Sequence, residues 1–225
     1  MIPSPLEAVI FDMDGLLLDT ETLYREASDR ACRTLGIAMP DAVYLSLIGT
    51  PKEVGDALLC AHFGEGFEVA HYDRIFDDHW RDVSRNGIPL KTGAVNLLDL
   101  LSAQGVPYAV ATSTARPTAE KHLRHVGVFD RLGALVTRTD VTRGKPHPET
   151  FLKAAEGLGA RPAYCLALED SFNGVRAASA AGMATVMIPD LLTPTDDIRM
   201  LCAGVLPSLA EVARELETRF SLGQT

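Results

Sequence analysis

The sequence lacks several features, and each absence excludes a class of protein. Acidic residues outnumber basic ones by 30 to 21, so the basic face that a nucleic-acid groove needs is not expected. No run of 18 apolar residues occurs, and residues 1–5 do not begin a basic segment followed by an apolar one, so we expect neither a membrane span nor a signal peptide. No CxxC pair is present, which favours free thiols in a cytoplasmic protein. The cysteines are Cys32, Cys60, Cys165 and Cys202.

The chain does have a globular composition, with 47% hydrophobic and 23% charged residues among 225. Short apolar runs alternate with helix-like patterns along much of its length. Continuous apolar runs of this length predict strands that are buried on both faces, as in a parallel sheet. The runs are Ala8–Phe11, Val106–Ala111, Ala134–Thr137, Tyr164–Leu168 and Ala184–Ile188. We therefore predict a doubly wound, Rossmann-like α/β core.

Residues 18–89 show a different pattern, in which no strand-like run occurs. Apolar side chains recur there at helical spacing in three stripes. The stripes are Leu23, Ala27, Ala31 and Leu35; Val54, Ala57, Leu58 and Ala61; and Tyr72, Phe76, Trp80 and Val83. We predict an all-helical insert, or cap, over residues 18–89, with the α/β core formed by residues 1–17 and 90–225.

Chemically reactive side chains follow four of the predicted strands. They are Asp12 and Asp14 after the first, Thr112 after the second, Lys145 in the loop after the third, and Glu169 and Asp170 at the end of the fourth. Ligands of open parallel sheets bind beyond the carboxyl ends of the strands, so we expect these groups to meet. Two carboxylates about 4 Å apart repel by roughly 4 kcal/mol at an effective dielectric near 20, so four of them require a cation. An all-oxygen donor set indicates Mg²⁺.

The spacing of Asp12 and Asp14 suits phosphoryl transfer. One carboxylate can attack phosphorus and form an aspartyl phosphate, while the other protonates the leaving oxygen and then takes a proton from water. The hydroxyl of Thr112 and the ammonium of Lys145 would stabilise charge on the phosphoryl oxygens. A single acidic turn or helix start has an ordinary structural explanation, but the ordered combination favours a catalytic site.

Four ordered motifs resemble those of the haloacid dehalogenase-like superfamily, in its branch of helical-cap phosphatases and β-phosphoglucomutases. The motifs are FDMDGLLLDTE at residues 11–21, Thr112-Ser113, GKPHP at residues 144–148, and LEDSFNGV at residues 168–175. The resemblance spans nearly the whole chain. It implies a phosphatase that hydrolyses a small phosphorylated metabolite, such as a sugar phosphate, under a closing helical cap.

The resemblance also implies roles for individual residues. Asp12 would be the nucleophile and Asp14 the general acid and base. Mg²⁺ would be held by the Asp12 side chain, the backbone carbonyl of Asp14 and the Asp170 side chain, with Glu169 acting directly or through water. Thr112 and Lys145 would hold the phosphoryl group.

Further positions are expected to contact the substrate. They are Ser113 and Arg116 beside the second motif, and Tyr24, Gly49 and Lys52 in the insert, the last two within a turn that resembles the specificity loop of helical-cap enzymes. His122 and His125 lie three residues apart without a carboxylate or cysteine to complete a metal site. For this reason, we expect an exposed helix face there.

Two other functions stay open. A sugar phosphomutase would share this core, but the β-phosphoglucomutases place His where Tyr24 stands and Arg where Lys52 stands, which weakens that reading. A phospho-accepting receiver switch combines similar residues, but the helical insert and Asp14 argue against it. The identity of the phosphate ester and the choice between monomer and homodimer are not determined by the sequence.

Overall fold

The computed structural model describes residues 2–48, 50, 52–64 and 66–222. Its internal contacts divide the chain into two compact units, of which the first combines Met1–Asp19 with Pro89–Thr225 and the second is Thr20–Ile88. These limits lie close to the predicted ones at 17/18 and 89/90. The second unit is therefore an insertion in the first.

The first unit is built on a parallel sheet with the strand order β3-β2-β1-β4-β5-β6. The strands are β1 Ala8–Phe11, β2 Tyr108–Ala111, β3 Ala134–Val136, β4 Cys165–Glu169, β5 Ala184–Met187 and β6 Gly204–Val205. The predicted α/β fold class is confirmed, and five strands coincide with the five apolar runs. The short β6 at the sheet edge carries too few residues to produce such a run, and it was not predicted.

The insert is helical throughout its described regular structure. Its helices are α1 Thr20–Thr34, α2 Asp41–Leu47, α3 Lys52–Phe63 and α4 Val69–Val83. They enclose a separate core that includes Ala31, Tyr44, Leu59 and Tyr72. Helix α2 carried no clear stripe and was not predicted.

The face that α3 buries differs from the predicted one. Leu59 is its buried residue, whereas Val54 is 48% exposed and Ala57 and Ala61 face solvent. The stripe through Val54 has the right helical spacing, but a short apolar helix offers two such stripes. Packing against the neighbouring helices selects between them, and the pattern alone does not.

Helices of the first unit cover the sheet. They are α5 Ala94–Ala103, α6 Arg116–His125, α7 Glu149–Gly157, α8 Phe172–Ala180, α9 Asp196–Leu201 and α10 Leu209–Leu222. Every residue of β1, β2 and β4 is buried. Ile10 of β1 packs in one cluster with Phe151 of α7 and Ala177 of α8. Because these central strands are buried, the residues at their carboxyl ends have fixed positions.

The two connections to the insert leave the sheet unit side by side. The backbone N–H of Asp19 donates to the carbonyl of Pro89 at 2.9 Å, and an antiparallel bridge joins Leu18 to Leu90. Just beyond, the Lys91 ammonium donates to Asp190 at 2.7 Å and to Asp19 at 3.4 Å. Here the start of the insert, its end and the segment after β5 are tied together.

None of the described helices combines the length and the apolar character that crossing a bilayer requires.

Candidate active site

Three neighbouring strands bring the predicted catalytic residues together. Asp12 directly follows β1, Thr112 directly follows β2, and Glu169 ends β4. Since β2 and β4 flank β1 in the sheet, the three residues lie at one edge. All three are buried. Strand geometry alone thus gathers side chains that lie far apart in the sequence.

Lys145 enters this group from the loop before α7. Its ammonium donates to Asp12 Oδ1 and, at 2.5 Å, to Glu169 Oε1. It also lies 4.8 Å from the ring centroid of Phe151. Burial alone would lower the pKa of Lys145, but the charges of Asp12 and Glu169 overcome that effect and raise it well above its ordinary value. The site therefore holds a permanent cation between two carboxylates.

Glu169 has both carboxylate oxygens engaged. Oε1 accepts from Lys145, and Oε2 accepts from the backbone N–H groups of Asp170 and Ser171 and from the Ser171 hydroxyl, each at 3.0 Å. A Cβ on Gly174 in α8 would overlap this carboxylate. Ser171 caps α8 by accepting from the Gly174 N–H at 3.1 Å. Glu169 is thus held against the start of α8, where a negative charge is favourable.

The positive charge of Lys145 does not balance the carboxylates of the site. Burial raises the pKa of Asp12 to about 8, while Lys145 opposes the shift and the charges of Glu169 and Asp14 add to it. A carboxylate that is costly to ionise next to an ammonium indicates that one cation does not balance the group. A second cation would allow Asp12 to stay ionised at neutral pH.

The residues present fit a divalent metal ion. Carboxylate oxygens of Asp12, Glu169 and Asp170 lie within 4.8 Å of one another, and all three residues are buried. Oxygen donors of this kind suit a hard cation. Because both oxygens of Glu169 already accept hydrogen bonds, Glu169 suits contact with a metal through water better than direct contact.

Asp14 lies in a tight turn after β1. Gly15 has a φ of +80°, and the Leu17 and Leu18 N–H groups both return to the Met13 carbonyl, so the chain reverses here. A left-handed φ is readily adopted only by glycine. The turn places Asp14 beside the end of β2 as well as β1.

Two hydroxyl groups hold the Asp14 carboxylate. Thr114 donates to Oδ2 at 2.7 Å and Thr112 donates to the same oxygen at 3.3 Å. Desolvation raises the pKa of Asp14, and these hydrogen bonds act in the opposite direction, as does the charge of His122. Thr114 was not among the predicted site residues, although it belongs to the Thr-Ser-Thr segment after the second strand.

His122 does not lie on a fully exposed face, and the expectation for this residue was wrong. The side chain is half-buried, and its Nδ1 is enclosed without a hydrogen-bond partner in the described part of the chain. Burial lowers the pKa of His122, and the charge of Asp14 opposes that shift. Its position three residues after the buried Ala119 was the available sign of an inward face. His125 is exposed, as expected.

Ser113 and Arg116, the predicted substrate contacts beside the second motif, make no described hydrogen bond to the catalytic carboxylates or to Lys145. Ser113 is exposed directly after Thr112. Arg116 donates to Asp140 at 2.7 and 3.2 Å, to Glu120 and to the Leu135 carbonyl. Its guanidinium is therefore paired with groups of α6, of β3 and of the segment after β3, and its contact with the substrate stays a prediction.

Within the insert, the side chains of Tyr24 and Lys52, which are predicted to contact the substrate, interact with other residues of the insert. The ring of Tyr24 is stacked on that of Trp80, with centroids 4.1 Å apart and planes within 8°. Lys52 is largely exposed and donates to Asp56 at 2.9 Å and to Asp73 at 2.7 Å. Gly49, the third predicted contact in the insert, lies outside the described residues.

Comparison with known proteins points to one family. A profile of the haloacid dehalogenase-like hydrolases matches residues 6–182. The chain is 34% identical to validoxylamine A 7′-phosphate phosphatase of Streptomyces hygroscopicus subsp. limoneus, over 92% of this chain and 95% of that protein. It is 29% identical to hexitol phosphatase B of Escherichia coli, over 93% and 96%. A crystal structure titled "putative beta-phosphoglucomutase", from Thermotoga maritima, matches 94% of this chain and 99% of its own, with a TM-score of 0.79 and 27% identity.

Proposed function

The chain belongs to the haloacid dehalogenase-like hydrolases, and from that premise we propose that it is a Mg²⁺-dependent phosphatase of a small phosphate monoester, acting through an aspartyl phosphate. The observation that carries the proposal is the placement of Asp12 beside Lys145 and within reach of Asp170, with Asp14 held two residues away. Acidic and basic groups are thereby arranged around one point at the sheet edge.

In this mechanism Lys145 binds the phosphoryl group, and a bound metal ion would help to offset its negative charge. Asp12, the Asp14 carbonyl and Asp170 would hold Mg²⁺, with Glu169 acting through water. When bound, the ion offsets the charge of the phosphoryl oxygens and of the carboxylates around it. Glu169 keeps Lys145 oriented, and Thr112 donates to a phosphoryl oxygen.

The reaction then has two steps. Asp12 attacks phosphorus while Asp14 gives a proton to the leaving oxygen, so that the ester oxygen leaves as an alcohol. Asp14 next takes a proton from water, which attacks the aspartyl phosphate and releases inorganic phosphate. Uncatalysed phosphate-monoester hydrolysis is among the slowest biological reactions, so its activation barrier is very high. Several catalytic groups acting together in one site are needed to lower a barrier of that size.

The preferred substrate class is a phosphorylated polyol or sugar with one phosphate. Hexitol phosphatase B and validoxylamine A 7′-phosphate phosphatase carry names of this kind. Lys52 in the insert is paired with two aspartates, so its charge is already matched and it suits hydroxyl groups better than a second anion. We assign the insert to substrate selection. The protein acts in the cytoplasm, where its free cysteines stay reduced.

The test is phosphate release from sorbitol 6-phosphate, glucose 6-phosphate, phosphoglycolate and a nucleoside monophosphate, with Mg²⁺ and with chelator. We expect Mg²⁺-dependent release that is fastest with the polyol or sugar phosphates. Asp12→Asn should abolish it while the far-UV circular dichroism spectrum stays unchanged. Normal turnover by folded Asp12→Asn protein, or equal rates in chelator, would refute the mechanism.

A phosphomutase is the second candidate, because the solved structure with a TM-score of 0.79 carries that name. It would transfer phosphate between positions of one sugar and would need a sugar bisphosphate to start. The matched charge at Lys52 speaks against a bisphosphate. Formation of glucose 6-phosphate from β-glucose 1-phosphate, primed by glucose 1,6-bisphosphate and without phosphate release, would favour the mutase.

A further inference from the structure

The two oxygens of the Asp14 carboxylate have different surroundings. Oδ2 accepts from Thr114 at 2.7 Å and from Thr112 at 3.3 Å. No hydrogen bond from the residues that the structure describes reaches Oδ1. One oxygen is thus held by hydroxyl groups while the other is available for proton transfer.

Thr114 is itself fixed from both sides. Its N–H donates to Thr112 Oγ1 at 3.0 Å, and its carbonyl accepts from the Arg138 N–H at 3.1 Å. Arg138 follows β3, and the Thr112 N–H is bonded to the Val136 carbonyl within β3. The backbone of Thr114 is therefore anchored to two adjacent strand ends, and its hydroxyl has a defined position.

Thr112 alone cannot hold the Asp14 carboxylate when a phosphoryl group is bound. A hydroxyl group has one hydrogen to donate, so Thr112 donates either to Asp14 or to a phosphoryl oxygen. Its bond to Asp14 is also the longer of the two. When phosphate occupies the site, Thr114 is the described hydroxyl that remains on Asp14.

We infer that Thr114 is a positioning residue for proton transfer: it holds Oδ2 of Asp14 so that Oδ1 delivers the proton to the leaving oxygen. This inference rests on the proposed phosphatase function. In the first step the Asp12–phosphorus bond forms, the bond from phosphorus to the ester oxygen breaks, and the proton moves from Asp14 to that oxygen. In the second step a water proton returns to Asp14.

The leaving group provides the test. Phenolate needs a proton to leave more than p-nitrophenolate does, because the nitro group stabilises the anion, while the two aryl phosphates differ little in size. The ratio kcat/KM reports only steps up to the first irreversible one, so hydrolysis of the aspartyl phosphate does not contribute. Loss of the Thr114 hydroxyl should therefore slow phenyl phosphate selectively.

The experiment compares Thr114→Val, Thr114→Ser and an exposed control, Thr118→Val, in the Mg²⁺-loaded enzyme. We expect Thr114→Val to lower kcat/KM for phenyl phosphate by about 30-fold and for p-nitrophenyl phosphate by less than about 3-fold. The expected loss is smaller than the roughly 10²–10⁴-fold that general acid catalysis contributes, because the variant keeps Asp14 and disturbs only its position. Serine should restore most of the loss, and Thr118→Val should change neither ester. Thr114→Ala, which adds no volume, provides the same comparison where valine disturbs folding.

Three results would overturn the inference. Equal loss with both esters would make Thr114 a structural residue, and no loss with either would remove its role. Failure of the unaltered enzyme to release phosphate from these two esters and from the sugar and polyol phosphates would instead overturn the proposed function and this inference with it. The unaltered enzyme therefore separates the two kinds of failure.

Discussion

A single methyl group at Gly174 tests how the buried Glu169 is held. Gly174 lies within α8 with ordinary helical backbone, so replacing it by alanine would normally stabilise the protein by about 0.5–1 kcal/mol. Here the added Cβ would overlap the Glu169 carboxylate, which is fully buried and so cannot simply swing out into solvent. We therefore expect the opposite sign.

The magnitude follows from what Glu169 loses. Moving the carboxylate breaks its pairing with Lys145 and its bonds to two backbone N–H groups and the Ser171 hydroxyl. Disrupting a buried ion pair costs about 3–5 kcal/mol. After subtracting the gain in helix propensity, Gly174→Ala should destabilise the protein by about 3 kcal/mol, a fall in Tm of roughly 10 °C for a chain of this size.

The insert offers a matched control. Gly55 is also inside a helix, and a Cβ there would meet Thr50 Oγ1 at 3.5 Å and Leu47 Cδ2 at 3.7 Å, which are ordinary contacts. Gly55→Ala should leave Tm unchanged or raise it by up to about 3 °C. Both variants are measured by thermal and denaturant unfolding followed by circular dichroism. A Gly174→Ala protein as stable as the unaltered one would refute the description of Glu169 as fixed.

Two further predictions concern charged groups outside the catalytic cluster. Lys91→Met should destabilise the protein by about 2 kcal/mol, because Asp190, whose side chain is only 14% exposed, then loses the ammonium that lies 2.7 Å from it. Denaturant unfolding measures the change in the free energy of unfolding. The same substitution in an Asp190→Asn background should lower that free energy by less. Backbone N–H groups of the loop that carries Lys145, together with Lys153, lower the pKa of Glu149 from 4.5 to about 2. The stability that Glu149 adds is thus complete above pH 4.5 and is lost as the pH falls towards 2. The stability gap between the unaltered protein and Glu149→Gln should narrow over that window, and a constant gap would contradict the assignment.

The fold and the centre of the site were predictable because each depends on a local pattern with one outcome. A buried parallel strand must be apolar along its length, and the residue after Phe11 must then lie at the sheet edge. Asp12, Thr112 and Glu169 follow from this rule, and the structure places them at that edge.

The remaining details depend on competition between partners distant in sequence, which a single pattern does not resolve. Arg116 had the type and position of a phosphate-binding residue, but in the structure its guanidinium is paired with the Asp140 carboxylate. Thr114 resembles an ordinary strand-end residue until the turn at Gly15 brings Asp14 to it. The face that α3 buries was likewise settled by helices whose packing the stripe does not encode.

The paired connections at Asp19 and Pro89 allow the insert and the sheet unit to change independently. The chain leaves and re-enters the sheet unit across one hydrogen bond, so the ends of the insert are already joined in the core. Lengthening, shortening or replacing Thr20–Ile88 therefore leaves the strand register and the Asp12 group untouched. Evolution can exchange the insert as a cassette, and an engineer can do the same by cutting between residues 19 and 20 and between residues 88 and 89.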